Sequence, residues 1–262
     1  MLMQRPPSPA PKSFGLRLNR GLLRFSRNWL RIALIVIGVY AALPIVAPLL
    51  MRVGATGPGQ VLYTLYSPFC HQFAFRSVFL FGEQPFYPRF NTGSPLTPFE
   101  TYARQLPEFD PNRVLAFPFG RVGDIYAFTP GYQGAAREFV GNPQMGYKVG
   151  VCARDMSIYW GLFTGIVIYS IPTVRRRLRP VPIWIYVLLG LAPIGLDGVS
   201  QLLGYPPFNL WPPRETLPAF RVVTGLLFGL MNAWLGLPYL EISMQETRRQ
   251  IETKFAQRGI PL

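Results

Sequence analysis

Four stretches of this chain are too long and too apolar for the surface of a water-soluble domain. They are Ile32–Leu50, Met156–Val174, Val181–Leu203 and Val222–Leu240. Each approaches the roughly 20 helical residues that cross a hydrocarbon core about 30 Å thick. One charge, Asp197, interrupts them. Composition agrees: only 15% of the 262 residues are charged and half are hydrophobic, whereas soluble domains carry about 25% charged residues. That balance excludes intrinsic disorder. Two cysteines and glycines without a period exclude a disulfide scaffold or a collagen. The expected fold is an all-α integral membrane protein, a four-transmembrane-helix bundle with a long, mostly irregular extracytoplasmic loop cap. Pro44, Pro193 and Pro238 fall inside spans, where neighbouring helices satisfy the carbonyls that proline frees.

Charge sets the orientation. Arg5, Lys12, Arg17, Arg20, Arg24, Arg27 and Arg31 precede the first span, and Arg175, Arg176, Arg177 and Arg179 separate the second from the third. Arg248, Arg249, Lys254 and Arg258 follow the fourth. Four spans put these segments on one side. Together they hold fifteen of the 26 basic residues and three of the 12 acids, Glu241, Glu246 and Glu252. By the positive-inside rule both termini are cytoplasmic, in a plasma or inner membrane. The net charge of +14 is then a topology signal with some attraction to anionic lipid. No nucleic-acid-binding motif accompanies it, so the bilayer is the expected partner and nucleic acid is not. Residues 1–31 read as a flexible basic arm, and with the first span they look like a retained signal anchor, since Val53-Gly54-Ala55 is a poor cleavage site. Residues 175–180 form a basic cytoplasmic loop and 204–221 an outer loop. The tail, 241–262, continues span four inward as a polar helix.

The remaining segment, 51–151, is too long for an unstructured connection. It is rich in proline and aromatics, and its charges nearly balance. No strong periodicity appears. Turn signals stand at Gly57-Pro58-Gly59 and Pro130-Gly131, a short helix is expected over Pro98–Gln105 and a loop over Pro107–Leu115. The aromatics belong either at the membrane interface or in a small core of the cap's own.

The reactive side chains gather at the outer side. Cys70 and His71 lie in the cap; Cys152, Arg154 and Asp155 open span two. Asp197 lies about 24 Å along span three, with Gln201 one turn on, and Arg221 and Thr224 open span four. A carboxylate within a span costs about 2.5–3.5 kcal/mol on insertion scales and needs a partner or a watery cavity. Arg154 and Arg221 are its candidate partners, and the three are the candidate catalytic group: Asp197 handling protons, the arginines an anionic group. An ion pair that merely locks the bundle is the other reading. Cys70, His71, Cys152 and Asp155 make a four-donor set for Zn²⁺ or another divalent transition metal. A structural Cys70–Cys152 disulfide, a redox-cycling pair and two unpaired thiols are the competing readings. Gly161-Leu-Phe-Thr-Gly165 and Gly225-Leu-Leu-Phe-Gly229 sit in the outer halves of spans two and four, and such small-residue patterns predict that these helices touch there.

Taken together, several pieces resemble the uncharacterised multi-pass membrane family called domain of unknown function 2085. They are Cys70-His71-Gln72 with Arg76-Ser77; Gly146–Val149 leading into Cys152-Ala153-Arg154-Asp155 and Ile158-Tyr159; Asp197-Gly198 with Gln201 and Gly204; and Arg214-Glu215-Thr216 with Arg221 and Thr224-Gly225. The resemblance spans about Pro68–Gly229. Many family members carry a second cysteine where this chain has Asp155, which implies metal or thiol chemistry for the family. Asp155 turns this chain away from a soft four-ligand zinc or iron–sulfur site and leaves a harder mixed site or a disulfide. The resemblance brings no reaction or substrate. Three functions therefore stand open. One is a metal or thiol-redox protein with its site under the cap. The second is a non-catalytic assembly subunit that docks on a membrane-protein partner. The third is a transporter or channel built as a homo-oligomer, against which the single intramembrane acid and the lack of paired broken helices argue. Sequence motifs for P-loops, Rossmann turns and HExxH sites are absent.

Overall fold

The computed structural model describes residues 14–205 and 207–260. It is mostly helical, and the long helices carry the apolar runs. α1 (Phe14–Arg52) and α9 (Pro218–Gln257) are 39 and 40 residues long, about 60 Å each and so twice the thickness of a bilayer core. Between them come α5 (Ala153–Ser170), a short α6 (Pro172–Arg177), and a 22-residue helix made of α7 (Ile183–Ile185), a π-helical stretch (Tyr186–Leu191) and α8 (Ala192–Gly204). The π stretch has a cause. Pro193 follows it, and a proline ring clashes with the carbonyl four residues back unless the helix widens there.

Among the described residues three helices are long and apolar enough to cross a membrane: α1, Ile183–Gly204 and α9. The run expected as the second span is α5, which starts at Ala153 with Arg154 and Asp155 in its first turn. It ends at Ser170 rather than 174, because Pro172 opens a new helix behind an extended Ile171. The basic arm also differs from expectation: from Phe14 onward it is the first part of α1, while Arg5 and Lys12 lie outside the described residues.

α5 and α9 make the most extensive helix contact in the molecule, through the two glycine patterns. A β-carbon at Gly161 would overlap the Leu226 carbonyl oxygen, one at Gly229 that of Ile158, and one at Gly165 the Ala233 side chain. Small residues here let the backbones approach to contact. At the far end of the bundle α1, α6 and α9 converge on Glu241, which accepts from Trp29 Nε1 (3.0 Å) and Arg175 Nε (3.1 Å). Beyond it α1 and α9 continue as a pair, with Leu23, Ile251 and Phe255 buried between them and Arg27 bonded to Glu252 at 2.8 Å.

The cap is not mostly irregular. It holds α2 (Thr56–Tyr66), α3 (Phe99–Ala103), α4 (Pro130–Glu138) and an antiparallel sheet ordered β1 (Ser77–Leu80), β5 (Gly146–Cys152), β4 (Gly141–Asn142); β2 (Val114–Leu115) and β3 (Gly120–Arg121) form a separate hairpin. The strands escape notice because they are short and because β5 is buried nearly throughout, so it shows none of the alternation that marks a half-exposed strand. On one side β5 packs on α1, with Gly150 placed against Pro44. Pro107–Phe109, within the expected loop, is a single 3₁₀ turn. The aromatics form the cap's own core: Phe73, Phe75, Phe79, Tyr87, Phe99, Phe109, Tyr132 and Phe139 are all buried there, many in edge-to-face pairs.

Candidate functional site

β5 runs straight into α5, and Cys152 is the residue at the junction, the N-cap of the helix. Its backbone pairs with Ser77 of β1. Cys70 comes to it from the end of α2. The turn after Cys70 requires Gln72 to take a left-handed conformation, φ 56°, which costs a side-chain-bearing residue about 1–2 kcal/mol. The surroundings fix it. The Gln72 side-chain amide donates to Tyr63 O (2.8 Å) and Gly150 O (2.6 Å), and the Gln72 backbone carbonyl accepts from Lys148 Nζ at 2.8 Å. Lys148 is fully buried and also donates to Arg137 O (2.6 Å). Burial brings its pKa down to about 7, partly opposed by Cys152 and Cys70. Held in this way, Cys70 Sγ accepts backbone N–H groups from Gln72 (3.3 Å) and Cys152 (3.1 Å).

The result is a compact set of donors. Cys70 Sγ, Cys152 Sγ and an Asp155 carboxylate oxygen all lie within 4.8 Å of one another, and both cysteines are buried thiols. The two sulfurs titrate as a pair. Cys70 hydrogen-bonds to Cys152, and that contact and burial raise the Cys70 thiol; the same bond holds Cys152 down, with Arg76 and Arg221 helping and burial opposing. His71 is not in the group. It is exposed, with its ring 5.3 Å from Phe73, at the mouth of a cleft of about 210 Å³ that Cys70, Phe69 and Arg137 also line. Thus three of the four expected donors converge, and the fourth, His71, shares with them only the cleft that Cys70 lines.

A second polar layer lies alongside. Asp197 accepts from Thr216 Oγ1 (2.7 and 2.8 Å), from Gln201 Nε2 (2.9 Å) and from Arg154, which forms its ion pair. Arg221 donates to Gln201 Oε1 at 2.9 Å and pairs with Glu215 rather than with Asp197. Glu215 is the hub. It takes Arg76 of the cap in a two-pronged ion pair, Arg221 of α9, and the Tyr205 hydroxyl at 2.8 Å. Burial alone would raise its carboxyl; Arg76 and Arg221 outweigh that and hold it below the usual carboxylate range. Asp197, Gln201, Glu215, Thr216, Arg221 and Thr224 are all buried. Glu215, Gln72 and Lys148 all fall in the motif pieces that carry the family resemblance, but sequence reasoning assigned none of them a role; Glu215 is the only acid between residues 204 and 221.

Residues 139–235 match a family model whose description is "Predicted membrane protein (DUF2085)". The resemblance drawn from the motifs is therefore borne out over this segment. It contains Cys152, Arg154, Asp155, Asp197, Glu215 and Arg221; Cys70, His71 and Arg76 lie outside it. An uncharacterized protein of Methanocaldococcus jannaschii is 32% identical over 93 residues, 36% of this chain. The chain spans about half (54%) of the length of that curated relative. No solved structure matches.

Proposed function

We propose that this is a four-span membrane protein with both termini in the cytoplasm, and that Cys70, Cys152 and Asp155 hold one divalent ion of the Zn²⁺ class beneath the extracytoplasmic cap. The four-span count rests on α5, whose 18 residues reach about 27 Å and pack on α9. The meeting of α1, α6 and α9 at Glu241 supports a common side for the three basic segments.

One observation carries the metal reading. Three groups that are anions when deprotonated converge within 4.8 Å in a buried place. Such a set needs either protons or a cation between its members. Two thiolates and a carboxylate suit a borderline divalent metal, and the amide hydrogens on Cys70 Sγ are the kind of outer support that fixes a ligand's orientation. Three protein ligands leave a coordination position for water or substrate; the cleft beside His71 is the access route. Bound there, such an ion supplies Lewis acidity and lowers the pKa of a bound water. Arg154 and Arg221 are taken by Asp197 and Glu215, so Asp197, locked by Arg154, is a positioning residue rather than a free base.

A second reading has its own support. The two sulfurs face each other across the cap–helix junction, and a disulfide there would staple the cap to the bundle on the oxidising side. Metal content by mass spectrometry and thiol counts by alkylation, on detergent-purified wild type, Cys152→Ser and Asp155→Ala, separate the two. The metal reading expects about one ion per chain, lost in both variants, with thiols that react only after chelation. Metal-free wild type with thiols that appear only on reduction establishes the disulfide instead. Metal-free protein with two reactive thiols refutes both.

A further inference from the structure

We infer that the outer edge of the bundle carries a binding site for an amphiphile with a phosphate head and a hydrocarbon chain. The site is a cleft of about 630 Å³ between α8, the loop before α9 and the cap residue Thr92. It is separate from the thiol group, and Asp197 and Glu215 form its inner wall.

The cleft mixes two chemistries. Its apolar lining is Pro193 and Leu196 of α8, Leu217 and Phe220. Leu196 is 71% exposed, and Leu217 and Phe220 nearly half exposed. Its polar lining is Thr92, Ser200, Arg214 and Thr216, with Asp197 and Glu215. Along α8 the apolar Pro193 and Leu196 precede Ser200, on the membrane-interior side in the four-span reading. An exposed apolar lining beside hydroxyls and a guanidinium matches a lipid lying along the helices with its head at the interface.

Charge settles the sign of the head. The polar layer holds four guanidiniums, Arg76, Arg154, Arg214 and Arg221, against the carboxylates Asp197 and Glu215. Asp155 is a third acid nearby, and counting it still leaves a positive surplus. Arg76, Arg154 and Arg221 are committed to close pairs. Arg214 is not: its side chain is 45% exposed, it bonds Ser200 Oγ, and it reaches Asp197 only at 3.5 Å. Among the described residues only its Nη2 is engaged, which leaves Nε and Nη1 for a ligand. These two nitrogens lie on opposite edges of the guanidinium, so each can give one charge-assisted bond to a phosphate oxygen. The carboxylates behind it are neutralised by their own arginines and do not repel the head. A phosphate monoester, whose negative charge no ammonium offsets, is expected to gain roughly tenfold at Arg214 over a zwitterionic head.

The test uses the full chain in a neutral maltoside detergent, with native mass spectrometry counting bound dioleoyl phosphatidate or dioleoyl phosphatidylcholine, and inorganic phosphate as competitor. The expected result is one retained phosphatidate, favoured roughly tenfold over phosphatidylcholine and not displaced by millimolar phosphate. Arg214→Ala should bring the two lipids to parity at an unchanged melting temperature. Leu217→Trp, which fills the apolar part and leaves the guanidinium, should lower retention of both. Should Arg214→Ala melt early, loss of retention in Leu217→Trp alone, at wild-type melting, still supports the site. Equal retention of the two lipids by wild type, or full retention in both variants, overturns it. Displacement by inorganic phosphate overturns the amphiphile and leaves a free-anion site. None of these readouts involves the cysteines, so failure of the metal reading leaves this site standing, and the reverse.

Discussion

Gly161→Ala is the sharpest probe of the bundle. The added β-carbon would overlap the Leu226 carbonyl oxygen and come within 3.2 Å of Gly229 Cα. Both neighbours are backbone atoms, so no side chain can turn aside, and α5 must move off α9 by about 1 Å to restore an ordinary contact near 3.5 Å. A gap of that size forfeits a quarter to a half of the dispersion well of every atom pair across the crossing. Overpacking of this kind costs about 1–3 kcal/mol. Alanine returns roughly 0.5–1 kcal/mol in helix propensity, so the net loss centres on about 1 kcal/mol and does not exceed about 2.5 kcal/mol. Gly229→Ala should behave alike, and the double variant should cost less than the sum because the two sites share one contact. Gly236, on the same helix, has nothing within 4 Å of its β-carbon position, so Gly236→Ala should stabilise by about 0.5–1 kcal/mol. The assay is reversible unfolding in mixed micelles titrated with a denaturing detergent, followed by circular dichroism. If Gly161→Ala shifts the midpoint in the same direction as Gly236→Ala, the close crossing of α5 and α9 is wrong.

Two further outcomes follow from the polar layer and the cap. Glu215→Gln keeps the shape but leaves Arg76 and Arg221 without their anion, and breaking a buried pair in this way costs about 3–5 kcal/mol; the same unfolding titration measures it, and a loss under 1 kcal/mol would show that the hub is solvated. Lys148 has its pKa lowered from 10.5 to about 7, so between those values the unfolded chain carries a proton that the native lysine lacks. Stability should therefore rise with pH across that window, by at most about 1.4 kcal/mol per unit, and level off below pH 7. Near-ultraviolet dichroism melts of wild type against Lys148→Met isolate the slope, which the variant should lack.

What could be read in the chain follows from how local each signal was. The α1, α8 and α9 runs announce themselves because a bilayer demands long apolar stretches. The α5–α9 contact was legible because GxxxG acts through backbone approach, which needs no knowledge of the rest of the fold. The Asp197–Arg154 pair was legible because a buried carboxylate must find a cation and few lay at that depth. Arg221, equally close in the sequence argument, is claimed by Glu215, a choice that depends on how the second outer loop folds back. The cap was illegible for a different reason. Its sheet joins Ser77–Leu80 to Gly146–Cys152 across the 65 residues 81–145, and a strand covered on both faces loses its period. The left-handed Gln72 and the buried Lys148 are fixed by long-range carbonyl contacts that leave no mark nearby.

The same contacts explain why a cap of short elements sits in one position on the helices. Cap residue Arg76, loop residue Glu215 and Arg221 of α9 form one chain of ion pairs, and Gln201 joins Arg221 to Asp197 and thereby to Arg154 of α5. Docking the cap in any other register would strand several of these charges in an apolar place, at a cost of several kcal/mol each. The layer is thus a registration device as much as a source of stability. Its consequence for chemistry is direct, because β5 ties both sulfurs to it. Lys148 on that strand anchors the Gln72 turn that aims Cys70, and four residues later the strand delivers Cys152 to the start of α5, two residues before Arg154. Lifting the cap from Glu215 would therefore strain the β5–α5 junction, where the two thiols held by β5 meet Asp155 of α5, so the geometry of the donor set depends on the ion-pair layer.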